Sequence, residues 1–101
     1  MYSQMISITS EKRIELAADR DLELHGWDKA EVSITVSRES DLQTRTEDDT
    51  LIIESRSDLE VWIPGSIQVT VRKVEGDAEI ENLSGLLTVI GIGGDLDLKD
   101  T

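Results

Sequence analysis

Aliphatic side chains alternate with polar ones along the first two thirds of the chain. A spacing of two residues is the period of a strand with one buried face, whereas a helix repeats its apolar positions every three to four residues. The pattern therefore predicts a series of half-buried strands. The aliphatic residues that define them are Ile14 and Leu16, then Leu22 and Leu24, then Val32, Ile34 and Val36, then Leu51 and Ile53, then Leu59, Val61 and Ile63.

Turns are predicted where glycine, proline and charged residues interrupt this alternation. The interruptions fall at residues 18–20, at residues 25–29 and at Pro64-Gly65. The stretch from Glu39 to Thr50 has almost no apolar side chain and several charges. We therefore expect a loop or the tip of a hairpin there.

From Pro64 onward, the pattern of residue classes repeats every nine residues, which is typical of solenoid architectures. Each copy reads apolar, any residue, Gly, polar, apolar, polar, apolar. The repeated columns are Val74, Leu83 and Ile92; Gly76, Gly85 and Gly94; Ala78, Leu87 and Leu96; and Ile80, Val89 and Leu98. A partial earlier copy consists of Ile67, Val69 and Val71.

One nine-residue unit spans about 30 Å, which is too short to enclose two facing layers about 10 Å apart. We therefore predict an all-β fold whose second half is a short parallel β-solenoid of two sheets, with about 18 residues per coil. In such a coil Ala78 lies beside Leu96 and Ile80 lies beside Leu98. Irregular β-strands from the first half are expected to cap it. A meander of antiparallel hairpins with Gly in the turns is the alternative.

The length of 101 residues fits a single domain, with capping strands in residues 1–65 and coils in residues 66–101. The chain holds 22 acidic and 10 basic residues, a net charge of −12, which disfavours nucleic acid and anionic membranes as partners. It has no cysteine and a single histidine, His25. Neither a signal peptide nor an apolar run long enough for membrane insertion is evident. A cytoplasmic location is the default expectation, with surface exposure as the alternative if the chain is part of a longer protein.

The glycine-punctuated segments 74–80 (VEGDAEI) and 83–89 (LSGLLTV) resemble the putative-adhesin β-solenoid family of bacteria and archaea. Upstream, segment 21–28 (DLELHGWD) is similar to that family's early strand and turn, and segment 59–64 (LEVWIP) to its strand ending in proline. The resemblance runs from about Ile14 to Leu98. It implies a short or truncated member of a solenoid family of unknown function, with no catalytic residues to carry over.

Calcium-binding nonapeptide repeats also have a period of nine, but they need two Gly-x-Gly-x-Asp turns around each ion. Here the middle copy has Gly85-Leu86, which lacks the carboxylate. We therefore predict no metal ligand and no cofactor.

The predicted coil also stacks Asp77 on Asp95 and Glu79 on Asp97, which makes these four residues a candidate acidic face. Like charges on neighbouring strands, about 4.8 Å apart, are expected to repel each other by roughly 1 kcal/mol per pair.

Enzymatic activity is not expected, and no catalytic residue is assigned. A glycosidase needs a pocket that separates the pKa values of two carboxyl groups, and exposed stacks of acids do not provide one. The segment His25-Gly26-Trp27-Asp28 is interpreted as a turn. Its two alternatives are a binding loop and a structural turn in which Trp27 caps the end of the sheet.

Two apolar features indicate interaction. Leu86 and Ile90 occupy outward positions of the middle repeat, and Leu96 and Leu98 lie in a terminal strand whose edge has no predicted neighbour. We predict a non-catalytic structural or protein-interaction module that forms a homo-oligomer or binds a protein partner, self-associating through the solenoid end or edge. A glycan-binding or glycan-processing β-helix domain is the alternative.

Overall fold

The computed structural model describes residues 1–99, so the last two positions of the predicted 66–101 segment lie outside the described residues. The fold is all-β, with one 3-10 turn at Glu39–Asp41. In this part of the chain, no helix combines the length and apolar character required to span a bilayer. The strands are β1 (Tyr2–Ser7), β2 (Arg13–Ala18), β3 (Leu22–Trp27), β4 (Glu31–Val36), β5 (Leu42–Glu47), β6 (Thr50–Ser55), β7 (Leu59–Pro64), β8 (Gln68–Val74), β9 (Ala78–Glu81), β10 (Leu87–Val89) and β11 (Leu96–Lys99).

The strands form two mixed sheets. The first sheet has the order β1-β4-β7-β3-β9-β11 and the second has the order β10-β8-β2-β6-β5. Pairing is parallel from β7 to β11 in the first sheet and from β10 to β6 in the second. It is antiparallel where β1, β4 and β5 join. The parallel part of each sheet therefore holds four strands.

Consecutive strands lie in opposite sheets throughout this parallel part. We call each such pair a rung, and the rungs are β2/β3, β6/β7, β8/β9 and β10/β11. The rungs have the same spatial order in both sheets, with β6/β7 first, then β2/β3, β8/β9 and β10/β11. Each rung thus contributes one strand to either side of a shared core.

The register predicted for the last rung is confirmed. Leu96 pairs with Ala78 and Leu98 pairs with Ile80 in parallel register, an offset of 18 residues. In the second sheet Leu87 pairs with Val69, which extends the same offset to the partial copy of the repeat.

The first half of the chain differs from the expected irregular capping strands. Strands β2 and β3 are regular six-residue strands, and both lie in the interior of their sheets. Strand β8 pairs with β2 rather than with a strand one coil earlier, so the 18-residue offset does not extend to this rung. The boundary between residues 1–65 and 66–101 stays a prediction, and parallel pairing crosses it.

The charged stretch from Glu39 to Thr50 is more regular than predicted. Strand β5 pairs antiparallel with β6, and Asp48, with a φ of 54°, lies in the turn between them. Strand β5 lies at the edge of the second sheet, where most of its side chains remain exposed. Because the strand buries so little, its sequence lacks the alternation that would have predicted it.

The space between the two sheets is a single aliphatic core, which agrees with the alternating positions of the sequence. Side chains at these positions are almost completely buried because successive residues of a strand point to opposite faces. The fully buried residues with the largest side chains include Ile14, Leu16, Leu22, Leu24, Ile34, Ile53, Leu59, Ile63 and Ile80. The residues that alternate with them form the two outward faces.

Candidate functional site

The outward face of the first sheet carries four carboxylates, one from each parallel strand. The register places Glu60 beside Glu23, Glu23 beside Glu79, and Glu79 beside Asp97. We call Glu60, Glu23, Glu79 and Asp97 the acidic row. Neighbouring strands are about 4.8 Å apart, so the charges of adjacent members interact. Two members of the predicted acidic face, Glu79 and Asp97, therefore belong to a longer row whose other members the sequence analysis missed.

A second row lies two residues further along the same strands and contains Trp62, His25, Glu81 and Lys99. The imidazole of His25 stacks on the indole of Trp62, with ring centroids 4.3 Å apart. His25 Nδ1 lies 2.5 Å from Glu81 Oε1. Its side chain is only 12% exposed, so neighbours on both flanks hold the ring in place. We call these four residues the histidine row.

Glu23 is the member of the acidic row with a perturbed proton affinity. A hydrogen bond with Glu60 raises the pKa of Glu23, and partial burial and the negative charge of Glu60 act in the same direction. His25 opposes this shift. The charged form of Glu23 is therefore less favoured than that of an ordinary exposed glutamate.

The outward face of the second sheet is balanced in charge by comparison. Arg72 donates to Glu15 at 3.0 Å and to Glu54 at 2.8 Å, and Arg45 donates to Glu54 at 3.0 Å. On the first sheet, Lys99 lies 3.3 Å from Glu79 at one end of the acidic row. The excess of negative charge is therefore concentrated near Glu23 and Glu60.

His25 lies in a strand, which corrects its predicted place in a turn. Strand β3 continues through Gly26 to Trp27 and pairs with β7 along this length. Gly26 therefore lies within the strand and does not mark a turn. Its lack of a side chain allows the backbone of Asn82 to approach closely. Trp27 closes the strand, and its indole nitrogen donates to the carbonyl oxygen of Glu31 at 2.8 Å.

The other two residues of the predicted acidic face form part of a hydrogen-bonded series. Asp58 Oδ1 accepts from the backbone nitrogen of Asp21 at 3.1 Å, and Asp21 Oδ1 accepts from that of Asp77 at 2.9 Å. Asp77 Oδ1 accepts in turn from the backbone nitrogen of Asp95 at 2.8 Å. We call these four residues the aspartate ladder. The stack of Asp77 on Asp95 was expected to be repulsive, but it also contains a charge-assisted hydrogen bond.

The aspartate ladder explains two of the repeated glycines. A Cβ atom on Gly76 would lie 2.2 Å from Asp21 Oδ1, and one on Gly94 would lie 2.1 Å from Asp77 Oδ1. The carboxylate of one rung therefore occupies the space above the glycine of the next. In each repeated Gly-Asp pair, the aspartate supplies a carboxylate acceptor for the next rung. The glycine leaves room for the carboxylate of the previous rung.

Replacing Asp21 by alanine is expected to lower the free energy of unfolding by about 1 kcal/mol, because the amide of Asp77 loses its acceptor. Asp21→Asn keeps an acceptor oxygen and removes one negative charge, so it should cost less than half as much. Urea denaturation at pH 7 measures both values. Equal losses for the two variants would show that the charge of Asp21, rather than its acceptor oxygen, stabilises the ladder.

The last rung leaves the core open at one end. Leu96 and Leu98 continue the inward columns of Ala78 and Ile80, yet they are 41% and 49% exposed. Their neighbours in those columns are 2% and 0% exposed. No strand of the described chain pairs with the outer edge of β11. We call this region, formed by β10 and β11, the open end.

Leu86 and Ile90 flank β10 and form a second exposed apolar feature. They are 63% and 67% exposed, so no layer of the described chain covers them. The structure thus places all four predicted interaction residues on or beside the last rung. The outward phase of the repeat predicts the exposure of Leu86 and Ile90. For Leu96 and Leu98 the prediction was a terminal strand with an unpaired edge, not exposed side chains.

A short sequence signal would have located both outward rows. An aspartate of the ladder directly precedes each parallel strand of the first sheet. The strand then begins with an apolar residue, an acid, an apolar residue and a member of the histidine row. The four copies are segments 58–62 (DLEVW), 21–25 (DLELH), 77–81 (DAEIE) and 95–99 (DLDLK). The nine-residue repeat contains the last two, but the first two lie outside it and were not aligned with them.

Two surface hollows bear on the glycan alternative, which requires carboxylates and an aromatic ring in one cleft. A hollow of about 320 Å³ is lined by both Glu23 and Glu60, together with Asp21 and Asp58. Trp27 lines a different hollow of about 510 Å³ beside Lys29. The second hollow also contains one carboxylate, that of Asp28, but no pair of carboxylates, and Trp62 lines neither hollow. Neither hollow therefore combines paired carboxylates with an aromatic ring.

The two-sheet all-β fold with parallel rungs is shared with solved structures of bacterial putative adhesins. A putative adhesin from Bacteroides fragilis NCTC 9343 matches with a TM-score of 0.63 at 16% sequence identity, over 96% of this chain and 52% of the other. A putative cell adhesion protein from Clostridium sporogenes ATCC 15579 matches with a TM-score of 0.62 at 13% identity, over 96% of this chain and 60% of the other. The chain thus spans between half and two thirds of each protein's length.

These likenesses establish the fold alone, because sequence identities of 13–16% do not establish a shared function. No family model matches the sequence, and no curated protein matches it.

Proposed function

We propose that the protein is a non-catalytic interaction module of the β-solenoid type, and that it associates with a second copy of itself through the open end. The observation that carries this proposal is the exposure of Leu96 and Leu98 in columns that are otherwise buried. Exposed core positions at a strand edge favour addition of another strand, which would bury the leucines and pair the backbone. The names of the structural neighbours, a putative adhesin and a putative cell adhesion protein, are compatible with an interaction role.

The solenoid interpretation is supported by the four rungs, which follow one another in the same order in both sheets. The offset of 18 residues between the last two rungs supports the predicted coil length. The interior position of β2/β3 means that the chain does not wind in one direction along the whole stack. We therefore interpret only the last two rungs as successive coils.

A second copy fits the open end by charge as well as by shape. Antiparallel pairing of two β11 strands about Leu98 would place Asp97 opposite the Lys99 position of the second copy on the outward face. This arrangement is isologous, so the same contact forms twice about one twofold axis. Net charge opposes the approach of two molecules that each carry −12, and salt weakens this repulsion.

The proposal of a non-catalytic role is supported by the geometry of the carboxylates. Glu23 and Glu60 lie side by side on an outward face, with carboxylate oxygens within 4.8 Å of each other. A glycosidase separates its two carboxyl groups by about 5 Å or more so that the sugar fits between them. The two carboxylates are thus slightly closer than the pair in a retaining glycosidase and much closer than the pair in an inverting one.

Sedimentation velocity over a range of protein concentrations tests the association. We expect a monomer–dimer equilibrium that shifts toward the dimer as salt is raised. Leu98→Glu should weaken the dimer by about tenfold or more, because it places two carboxylates next to each other in the apolar contact. Met5→Glu is the matched control, since Met5 is 54% exposed and lies on β1 at the opposite edge of the first sheet.

A strict monomer at high protein concentration and high salt would overturn the proposal. An equal loss of dimer in Met5→Glu and Leu98→Glu would also contradict it, because the open end would then have no special role.

A further inference from the structure

We propose that Glu23, His25 and Glu60 bind a divalent first-row transition metal ion, for which Zn²⁺ is the suitable probe. Each residue offers one ligand atom, and the three atoms all lie within 4.8 Å of one another. The residues come from the adjacent strands β3 and β7, at outward positions of both rows. This site is separate from the open end, so the inference does not depend on the proposed self-association.

The orientation of His25 suits a metal ligand. His25 Nδ1 lies 2.5 Å from Glu81 Oε1, and an ionised carboxylate only accepts hydrogen bonds, so the proton is assigned to Nδ1. The lone pair then lies on Nε2, which is 3.8 Å from Glu23 Oε2. A carboxylate that fixes the tautomer and the ring orientation is the usual companion of a metal-bound histidine. Glu81 is therefore a positioning residue for this site.

Stacking holds the imidazole in place before any ion binds. The rings of His25 and Trp62 are 4.3 Å apart with an angle of 22° between their planes. Trp27 lies behind Trp62 at a centroid distance of 5.6 Å. Because the imidazole is held between its neighbours, metal binding requires little reordering of that ligand.

The two glutamates supply the negative charge that a cation requires. Glu23 and Glu60 lie directly opposite each other in adjacent parallel strands. A divalent ion between them would offset the negative charge of both carboxylates. Zinc ligands at about 2.0–2.2 Å have donor atoms a little over 3 Å apart, and two flexible glutamates can close the remaining distance.

The surroundings leave room for the rest of the coordination shell. Glu23 and Glu60 line the hollow of about 320 Å³, so water or another ligand can reach an ion between them. Three protein ligands with an open fourth position distinguish this arrangement from a structural zinc site, which has four protein ligands. A nitrogen donor beside two carboxylates favours zinc and its neighbours in the series over Mg²⁺ and Ca²⁺, which prefer oxygen alone.

Calorimetric titration with Zn²⁺, combined with NMR of the imidazole, tests the site in the intact chain. His25 is the only histidine in the sequence, so its ring resonances report on this position alone. We expect one ion per chain and a shift of the His25 resonances that saturates together with the heat of binding. Glu60→Gln should weaken Zn²⁺ at least tenfold through loss of a ligand, and Glu81→Gln about tenfold through loss of orientation.

The matched control is Glu79→Gln, which removes a neighbouring charge of the acidic row without touching the three ligands. We expect it to weaken Zn²⁺ less than threefold, on the scale of a neighbouring half-exposed charge. Circular dichroism and urea denaturation establish that each variant is folded.

Three results would overturn the assignment. They are His25 resonances that Zn²⁺ does not move, equal losses for Glu79→Gln and Glu60→Gln, and binding of Ca²⁺ as tight as that of Zn²⁺. The last two would mean that the acidic face attracts cations without a defined site.

Discussion

Replacing Gly26 by alanine is expected to lower the free energy of unfolding by about 3 kcal/mol. A Cβ atom at this position would lie 2.0 Å from the carbonyl oxygen of Asn82, 2.9 Å from its carbonyl carbon and 3.1 Å from the Cα of Gly65. All three contacts are with backbone atoms, so no flexible side chain can move aside. The clash must be relieved by displacing one of three chain segments.

Two of these segments, those of Asn82 and Gly65, are held by backbone hydrogen bonds. Asn82 has a φ of 61°, and its backbone nitrogen donates to the carbonyl oxygen of Lys99 at 3.1 Å. The carbonyl oxygen of Gly65 accepts from the backbone nitrogens of Ser84 and Gly85 at 2.8 and 3.1 Å. Moving either segment to accommodate the methyl group would weaken these hydrogen bonds, which connect the segment after β9 to β11 and to Gly65.

Gly91→Ala is the control for this substitution, since the nearest atom to an added Cβ is 3.5 Å away. We expect it to change the free energy of unfolding by less than about 0.5 kcal/mol. Urea denaturation of both variants provides the comparison. A Gly26→Ala variant as stable as Gly91→Ala would show that the approach of Asn82 is not needed for the fold.

Replacing Leu24 by alanine is expected to lower the free energy of unfolding by roughly 3 kcal/mol, within the range of 2–5 kcal/mol typical of buried leucines. Leu24 is 0% exposed and pairs with Val61 on one side and with Ile80 on the other. Parallel strands on both sides restrict collapse around the missing atoms. The substitution therefore leaves a cavity in the centre of the core.

Leu86→Ala removes the same atoms from a side chain that is 63% exposed. This control should change the stability by less than about 0.5 kcal/mol. Both variants should have the same denaturant slope as the parent protein, because each unfolds the same surface. Similar losses in the two variants would contradict the placement of Leu24 in the core.

The sequence predicted the core and most strands because burial of one face imposes a period of two on the residues. The same logic predicted the pairing of Leu96 with Ala78, since the residue classes repeat in register every nine positions. Local pattern was sufficient in both cases, because each prediction depends on neighbours close in the chain.

The order of the strands could not be read from the same pattern. Ile14 pairs with Val69 in one direction and with Leu51 in the other, and nothing local to Ile14 selects these partners. Parallel pairing joins strands that are distant in the sequence. These strands all have the same alternation of inward apolar and outward polar residues, so the alternation does not distinguish one partner from another. For this reason β2 and β3 were predicted in a cap, although they lie in the interior of the sheets.

The candidate metal site was missed for a related reason. Glu23 and Glu60 are separate outward positions of two strands and resemble ordinary solvated acids until the register is known. The repeat pattern suggests metal ligands only at its glycine turns, whereas these ligands lie in the middle of strands. The repeated pentapeptide beginning with Asp21 and Asp58 carries the register, and aligning its copies brings the site together.

The interior position of β2 and β3 also determines when the fold can be completed as the chain leaves the ribosome. These strands are synthesised early, but their neighbours β6 and β7 extend to Pro64, and β8 and β9 extend to Glu81. Both edges of β2 and β3 are open until β6 and β7 emerge, and one edge of each stays open until β8 and β9 emerge. Distant parallel pairing of this kind is slow to form. The nascent chain is therefore most vulnerable to misassembly in the interval before β9 emerges, and its many acidic residues would keep such chains apart.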